Sequence, residues 1–200
     1  MMKIENVRIT GFEEAVRGAR NSFDSWDRSD SRTGENGFVM GDADKRLLLK
    51  LVQAGDAHAK ALRMVTVYAD ITAPRYWWTE FDTYRHVVRC SCSTMHTITK
   101  KPFEMDSFAC DEFLEHNALS YVLCALNIFR ENFLRDKDRK WWKRIIQLLP
   151  QSYIQRSTVM MNYQVLRNIY LQRKGHRLSE WHEFREWAET LPYAGELICI

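Results

Sequence analysis

A change of pattern at residue 74 is the feature of this sequence that most constrains its fold. Residues 64–73, MVTVYADITA, are rich in β-branched side chains and partly alternate, which predicts a β-strand. Pro74 then stands where a helix tolerates proline, in its first turn, and aromatic side chains follow on one helical face, namely Trp77, Phe81 and Tyr84. We therefore expect a strand that passes into a helix, and this helix would carry Arg85 and His86 at its C-terminal end.

The remaining segments predict mostly helices. Apolar side chains recur at helical spacing, and glycine or proline residues mark the ends of several segments. The polar stretch 24–37 is expected to be an exposed loop. This balance indicates one domain over residues 1–200 of the α+β class, helix-dominated and with a small sheet. We expect helices at 12–23, 43–55, 106–136, 139–150, 157–175 and 178–192.

Composition is typical of a folded protein and disfavours a nucleic-acid or membrane partner. The chain is 46% hydrophobic, and its 29 basic residues are nearly balanced by 26 acidic ones. The first residues lack the apolar run of a secretory signal, and no stretch is long and apolar enough for a membrane span, so we expect a cytoplasmic protein. The 5 cysteines show no C-x-x-C spacing, which indicates neither a disulfide framework nor a metal site.

One short polar run is a candidate site. Residues 85–96, RHVVRCSCSTMH, combine arginine, histidine, cysteine and hydroxyl side chains. Ser93 and His96 are candidate substrate-binding groups. They are also candidate catalytic groups, since a histidine can act as a general base near neutral pH. The alternative is a polar strand whose side chains face water, because no acidic partner for His96 lies nearby in the sequence.

Three segments, taken in order, resemble the flavin-dependent thymidylate synthases. Residues 54–86 resemble the glycine-led segment, strand and helix that end in the Arg-His-Arg signature of this family. Residues 85–96 occupy the place of the polar continuation of that signature. Residues 148–188 resemble its Leu-Pro turn, paired-asparagine helix and closing helix. The resemblance implies an α+β fold with a small antiparallel sheet flanked by several helices.

The resemblance also implies an activity and its ligands. Members of the family are homotetramers that hold FAD between subunits and methylate dUMP to dTMP, with methylenetetrahydrofolate as carbon donor and NADPH as reductant. Carried over to this sequence, the flavin-binding residues are Arg85, His86, Asn162 and Asn168. Arg173 matches the catalytic, substrate-binding arginine, whose fixed donors suit the carbonyl edge of a pyrimidine.

The resemblance further implies how these residues meet. The tryptophan-bearing helix and the asparagine-bearing helix would converge, across neighbouring copies, on one cleft. Since Asn162 and Asn168 are six residues apart, we expect them to project about 120° from each other on a single helix.

The sequence departs from the family where the substrate is bound. Val87 stands at the third signature position, which is normally arginine, and Trp181 stands in place of a glutamine. The positions that normally hold serine, asparagine, glutamate, serine and arginine carry Cys90, Cys92, Ser93, Met95 and Thr97. These losses affect polar groups that hold dUMP, so a divergent member with an altered substrate is expected.

The alternative is a catalytically degenerate protein that binds a nucleotide or another protein on the same fold. The tryptophan doublets 77–78 and 141–142 cannot all face one core, so some should line a pocket, a subunit contact or a ring-stacking surface. A yellow chromophore in the purified protein would favour the flavoenzyme, and a colourless protein that ignores FAD and dUMP would favour this alternative.

Overall fold

The structure is a computed structural model that describes residues 2–35, 37–110 and 116–200, and these form six strands and nine α-helices. The strands are β1 (Lys3–Thr10), β2 (Arg32–Gly34), β3 (Gly37–Val39), β4 (Thr66–Pro74), β5 (Val88–Ser91) and β6 (Ile154–Asn162). The helices are α1 (Phe12–Asn21), α2 (Asp42–Gln53), α3 (Arg75–Phe81), α4 (Thr94–Thr97), α5 (His116–Asp136), α6 (Arg139–Leu148), α7 (Tyr163–Gln172), α8 (Ser179–Glu189) and α9 (Ala194–Leu197). Short 3-10 helices lie at Trp26–Arg28, Ala59–Arg63 and Met105–Ser107.

Four strands form one sheet in the order β1-β4-β6-β5, and β2 pairs with β3 in a separate antiparallel hairpin. Along β4 half-buried and buried residues alternate, and Val67, Ala69 and Ile71 are buried. The strand predicted at residues 64–73 is therefore confirmed. The small sheet among several helices also confirms the predicted α+β class.

Two predicted helices begin later than the sequence pattern suggests. The helix predicted at 157–175 begins at Tyr163, because the residues before it belong to β6. The helix predicted at 106–136 includes residues 111–115, which lie outside the described residues, and α5 begins at His116. The stretch predicted as an exposed loop, 24–37, contains a 3-10 helix, β2 and the first residue of β3.

The chain divides into two compact units. The first unit comprises Met1–Lys3, Ile71–Phe81 and Cys90–Ser157, and the second comprises Ile4–Asp70, Asp82–Arg89 and Thr158–Ile200. The single domain predicted over 1–200 stays a prediction. None of the helices in the described ranges combines the length and the apolar character that a membrane span requires.

Aromatic side chains form much of the core of the first unit. Trp77 and Trp78 are buried with ring centroids 4.9 Å apart, and Phe81 lies 4.9 Å from Trp77. α5 and α6 pack against each other around Leu126 and Ile145, both fully buried. The tryptophan doublet at 77–78 therefore belongs to the core. Neither of its rings forms the pocket lining, subunit contact or stacking surface that the sequence left as alternatives.

A buried carboxylate organises part of the second unit. Asp44 on α2 is fully buried and accepts hydrogen bonds from Arg20 Nε at 2.7 Å, Ser29 Oγ at 2.7 Å and Ser31 Oγ at 2.6 Å. Burial raises the pKa of this carboxyl, but the hydrogen bonds from Ser31, Ser29 and Arg20 outweigh burial and hold the pKa below its usual range. The network ties residues 29–31 and α1 to α2.

Candidate functional site

The turn after α3 carries two of the predicted flavin-binding residues. Because α3 ends at Phe81, Arg85 and His86 follow the helix, and the prediction that they close it is wrong. Both residues are exposed, and His86 has a left-handed φ of 62°. Arg89 Nη1 donates to both carboxylate oxygens of Asp82 at 2.8 and 2.7 Å, and this ion pair joins the two ends of the turn. The turn thus presents a guanidinium and an imidazole to solvent from a braced backbone.

The two predicted asparagines lie at the start and in the middle of α7. Asn162 is the last residue of β6 and the N-cap of α7, where its Oδ1 accepts from the Val165 N–H at 3.0 Å. The prediction that both asparagines project from one helix is therefore wrong, because the Asn162 backbone is extended. Asn168 is half-buried within the helix. At the helical rise, Asn162 and Arg173 are about 16 Å apart along the axis.

Two aromatic residues, Tyr84 and Trp181, hold Arg173 and are named the aromatic clamp. Arg173 Nε donates to the Tyr84 hydroxyl at 2.7 Å. The guanidinium carbon lies 5.3 Å from the Tyr84 ring centroid and 4.4 Å from that of Trp181, which is fully buried. The two rings meet edge to face at 6.2 Å. Guanidinium groups pack favourably on aromatic rings, so the clamp fixes the orientation of Arg173.

The clamp joins the turn to the end of α7. Tyr84 directly precedes Arg85 in the turn, and Arg173 is the C-cap residue of α7. The second unit of one chain therefore brings the predicted substrate arginine to the turn that carries a predicted flavin-binding residue. The convergence expected across neighbouring copies stays a prediction.

The clamp residues are the part of this site that the sequence pattern misses. The sequence assigns Tyr84 to the apolar face of a helix and Trp181 to the place of a lost glutamine. Tyr84 and Arg173 are 89 positions apart in the sequence, so no local periodicity reveals their contact. The one available signal is the position of Tyr84, an aromatic residue directly before a candidate arginine.

Ser93 and His96, the other predicted substrate-binding residues, lie in the first unit at the short helix α4. The Ser93 carbonyl accepts from the Thr97 hydroxyl at 2.7 Å and from the Thr97 N–H at 3.0 Å. His96 is exposed. Thr97 stands where the signature has arginine, and its hydroxyl donates its hydrogen bond within this helical turn. Ser93 and His96 thus belong to the first unit, whereas Arg85, His86 and Arg173 belong to the second.

A cleft of about 610 Å³ lies beside α4 in the first unit and is named the lysine cleft. Lys100 and Lys101 line it, together with Cys92 and Thr97, and neither Ser93 nor His96 is among its lining residues. Its volume lies within the range of roughly 300–1,000 Å³ that is typical of small-molecule sites. The cleft can therefore accommodate a ligand of nucleotide size.

Comparison with known proteins places this geometry in a known fold. No family model matches the chain, and no curated protein matches it. A crystal structure of thymidylate synthase X (ThyX) from Helicobacter pylori with FAD and dUMP superimposes with a TM-score of 0.77 at 16% identity, covering 99% of this chain and 97% of that chain. A second ThyX structure from the same organism, complexed with FAD and dUMP, gives a TM-score of 0.74 at 16% identity with 97% of each chain covered.

This likeness confirms the fold that the family resemblance implied, over nearly the whole chain. At 16% identity the chain is divergent from both structures.

Proposed function

We propose that this chain is a flavoprotein of the thymidylate synthase type that binds FAD and a pyrimidine nucleotide. The proposed reaction is the reductive methylation of dUMP, or of a closely related nucleotide, with methylenetetrahydrofolate as carbon donor and NADPH as reductant. The observation that carries the proposal is the full-length likeness in fold to thymidylate synthase structures that contain FAD and dUMP. A homotetramer is the proposed functional form.

Polar groups of the second unit fit a flavin dinucleotide. Arg85 is exposed on the braced turn, where its guanidinium suits the pyrophosphate of FAD. Asn162 uses its Oδ1 to cap α7, which leaves its amide nitrogen as a donor for a ligand. The axial span of about 16 Å from Asn162 to Arg173 suits contacts with distant parts of one long ligand. When bound, FAD would supply the hydride chemistry, and these residues would bind and orient it.

Arg173 is the residue proposed to hold and polarise the pyrimidine. Its guanidinium carries a fixed positive charge, and the aromatic clamp sets the plane of its donors. A charge-assisted hydrogen bond from this group to a ring carbonyl is worth roughly 1.5–3 kcal/mol. Because the clamp orients the donors beforehand, they would stabilise negative charge that develops on the ring without reorganisation.

At the positions that bind the substrate in the family, this chain carries residues that favour an altered contact with the nucleotide. The Thr97 hydroxyl is bonded to the Ser93 carbonyl and supplies no charge where the signature has arginine. Val87, at the third signature position, is apolar. Ser93 and His96 remain proposed substrate-binding residues, and His96 is the exposed titratable group of α4.

A surface on α6 favours a second candidate function, a protein-interaction module that kept the fold and lost the chemistry. The Trp141 ring stacks on Phe129 at 6.0 Å, and the cationic groups of Lys140 and Arg144 lie 5.2 and 4.6 Å from its centroid. Aromatic and arginine side chains are enriched at protein interfaces. Under this candidate, the purified protein is colourless and binds a macromolecular partner through α6.

The visible spectrum of the purified protein separates the two candidates. We expect bound or titratable flavin in the wild-type protein, followed by formation of dTMP from dUMP with NADPH and methylenetetrahydrofolate. A double variant, Arg85→Ala with His86→Asn, should lose FAD affinity by at least about tenfold, since it removes the two flavin contacts proposed for the turn. Asparagine at position 86 tolerates the left-handed backbone, so the turn should keep its shape. Lys174→Ala, which removes an exposed cation beside Arg173, is the matched control. A colourless protein that ignores added FAD would overturn the proposal.

A further inference from the structure

We propose that Arg167 on α7 is a further cofactor-binding residue, whose guanidinium holds the pyrophosphate of FAD in exchange for its ion pair with Asp56. The inference rests on the proposed flavin function and adds a contact that the family signature does not supply, since position 167 lies outside every residue that the resemblance carries over. Arg167 and Asp56 belong to the second unit, together with Asn162, Asn168 and Arg173.

The side chain of Arg167 is mostly buried and has few partners. It is 17% exposed, and its Nη1 lies 3.7 Å from Asp56 Oδ1, which is an ion pair longer than a direct hydrogen bond. Its Nε is closed to solvent and has no acceptor among the described residues. A guanidinium carries five N–H donors in a fixed fork. Within the described ranges the protein therefore uses little of the donor capacity of this group.

An arginine with so few partners costs stability unless a ligand uses it. A buried donor without an acceptor has lost its bonds to water, and a charge in the interior needs a close partner. Asp56 is a weak partner, because its carboxylate is 60% exposed and water competes for it. An apolar side chain of similar length would fill the same space without this cost. The arginine at this position therefore indicates a ligand that accepts its hydrogen bonds.

The place of Arg167 along α7 indicates which part of FAD it would meet. At the helical rise it lies about 7.5 Å from Asn162 and about 9 Å from Arg173 along the axis, near the middle of the span proposed for the cofactor. The pyrophosphate is the middle of FAD and carries its negative charge, and both Arg167 and Arg85 can donate to its two phosphates. A guanidinium fork matches phosphate oxygens in geometry and charge. The next residue, Asn168, is already a proposed flavin contact.

The backbone on both sides of this ion pair is braced. The Gly55 carbonyl accepts two backbone N–H groups of the turn that carries Asp56, at 2.9 and 3.1 Å. After this turn, Arg63 Nε donates to Gln164 Oε1 at 2.5 Å, one helical turn before Arg167. Because both backbones are held in place, exchange of the carboxylate for a phosphate requires movement of side chains alone, and little binding energy is lost to ordering of the chain.

Titration with FAD, read from flavin fluorescence, of the wild type and of two variants tests the inference. Arg167→Met should lose at least about tenfold in FAD affinity, because it removes the charged donors and keeps the length of the side chain. Asp56→Asn should bind FAD about threefold or more tightly, because it removes the carboxylate that competes with the phosphates for the guanidinium. Arg46→Met, at an exposed arginine of α2, makes the same change of charge and should bind like wild type.

The opposite directions of the two changes separate this role from a structural one. An ion pair that only holds the fold is broken by either variant, so both variants would then affect FAD binding alike. Arg167→Met should also unfold at an equal or higher urea concentration than wild type, and its FAD affinity should depend less on added salt. Unchanged affinity of Arg167→Met, a lower urea midpoint of that variant, or equal or weaker binding by Asp56→Asn would each overturn the inference. If the wild type still binds FAD, the proposed function stands, whereas a wild type that ignores FAD overturns both.

Discussion

Replacing Tyr84 by phenylalanine removes one oxygen from the aromatic clamp and tests whether Arg173 is held ready for a ligand. The lost oxygen accepts from Arg173 Nε at 2.7 Å, whereas the ring, whose centroid lies 5.3 Å from the guanidinium carbon, is retained. Trp181, at 4.4 Å, is unchanged in this variant. The substitution therefore releases the orientation of the guanidinium and preserves most of its packing.

The expected magnitude follows from the freedom that Arg173 regains. Ordering a long flexible side chain on binding costs about 0.5–1.5 kcal/mol, and the clamp has already met this cost in the wild-type protein. A loss of about 1 kcal/mol lowers affinity for the nucleotide about fivefold. Arg173→Ala removes the charged donor itself, worth roughly 1.5–3 kcal/mol, and should lower affinity roughly 10- to 150-fold.

Calorimetric titration with dUMP of the wild type, the two single variants and the double variant provides the assay. If Tyr84 acts through Arg173, adding Tyr84→Phe to Arg173→Ala should have no further effect on affinity. Fully additive losses would refute the reasoning, since Tyr84 would then act independently of the arginine. Urea denaturation of each variant shows that the fold is retained. An unchanged affinity of Arg173→Ala would instead refute the assignment of Arg173 to the nucleotide.

Three further predictions concern stability and the cap of α7. Asp44→Asn should lower the free energy of unfolding by about 3 kcal/mol and exposed Asp42→Asn by less than about 0.5 kcal/mol. Since folding lowers the pKa of Asp44, the ionised carboxylate stabilises the fold above pH ~4, and this stabilisation is lost as the pH falls further. Urea titrations at several pH values measure the change. Gly11→Ala places a Cβ against the Met64 carbonyl and should lower the free energy of unfolding by at least about 3 kcal/mol. Gly55→Ala meets no atom within 4 Å and should lower it by about 1 kcal/mol, because of its positive φ alone. Thermal unfolding measures both. Asn162→Ser keeps a capping oxygen and should lose only FAD affinity, whereas Asn162→Ala should also lose about 1 kcal/mol of stability; equal stability losses in urea would contradict this.

Helices with an apolar face could be predicted from the sequence, whereas β6, which buries a polar side chain, could not. The prediction at 12–23 matches α1 and the one at 178–192 matches α8, within a few residues at each end. β6 was missed because Ser157 occupies a buried position before Val159 and Met161, which breaks the apolar alternation of a strand. A run with methionine also suits a helix.

The candidate site could be predicted in part. The family resemblance identifies Arg85, His86 and Arg173, and the structure places all three in one unit. The role of Asn162 as a helix cap depends on where β6 ends. Because the sequence pattern predicts a helix over β6, it does not indicate this role. The clamp depends on tertiary contacts of Tyr84 and was out of reach of periodicity.

The ion pair between Asp82 and Arg89 bears on how this protein could diverge. The two side chains bridge the ends of the turn, and Tyr84 between them is bonded to Arg173, so the turn does not depend on the side chains of Val87 and Val88 for its shape. If this turn binds a ligand as proposed, substitutions at positions 87 and 88 can alter that contact while the chain on either side keeps its course. Val87, which stands where the signature of the resembled family has arginine, occupies such a position, so the ligand contacts proposed for this turn can vary while its backbone is kept.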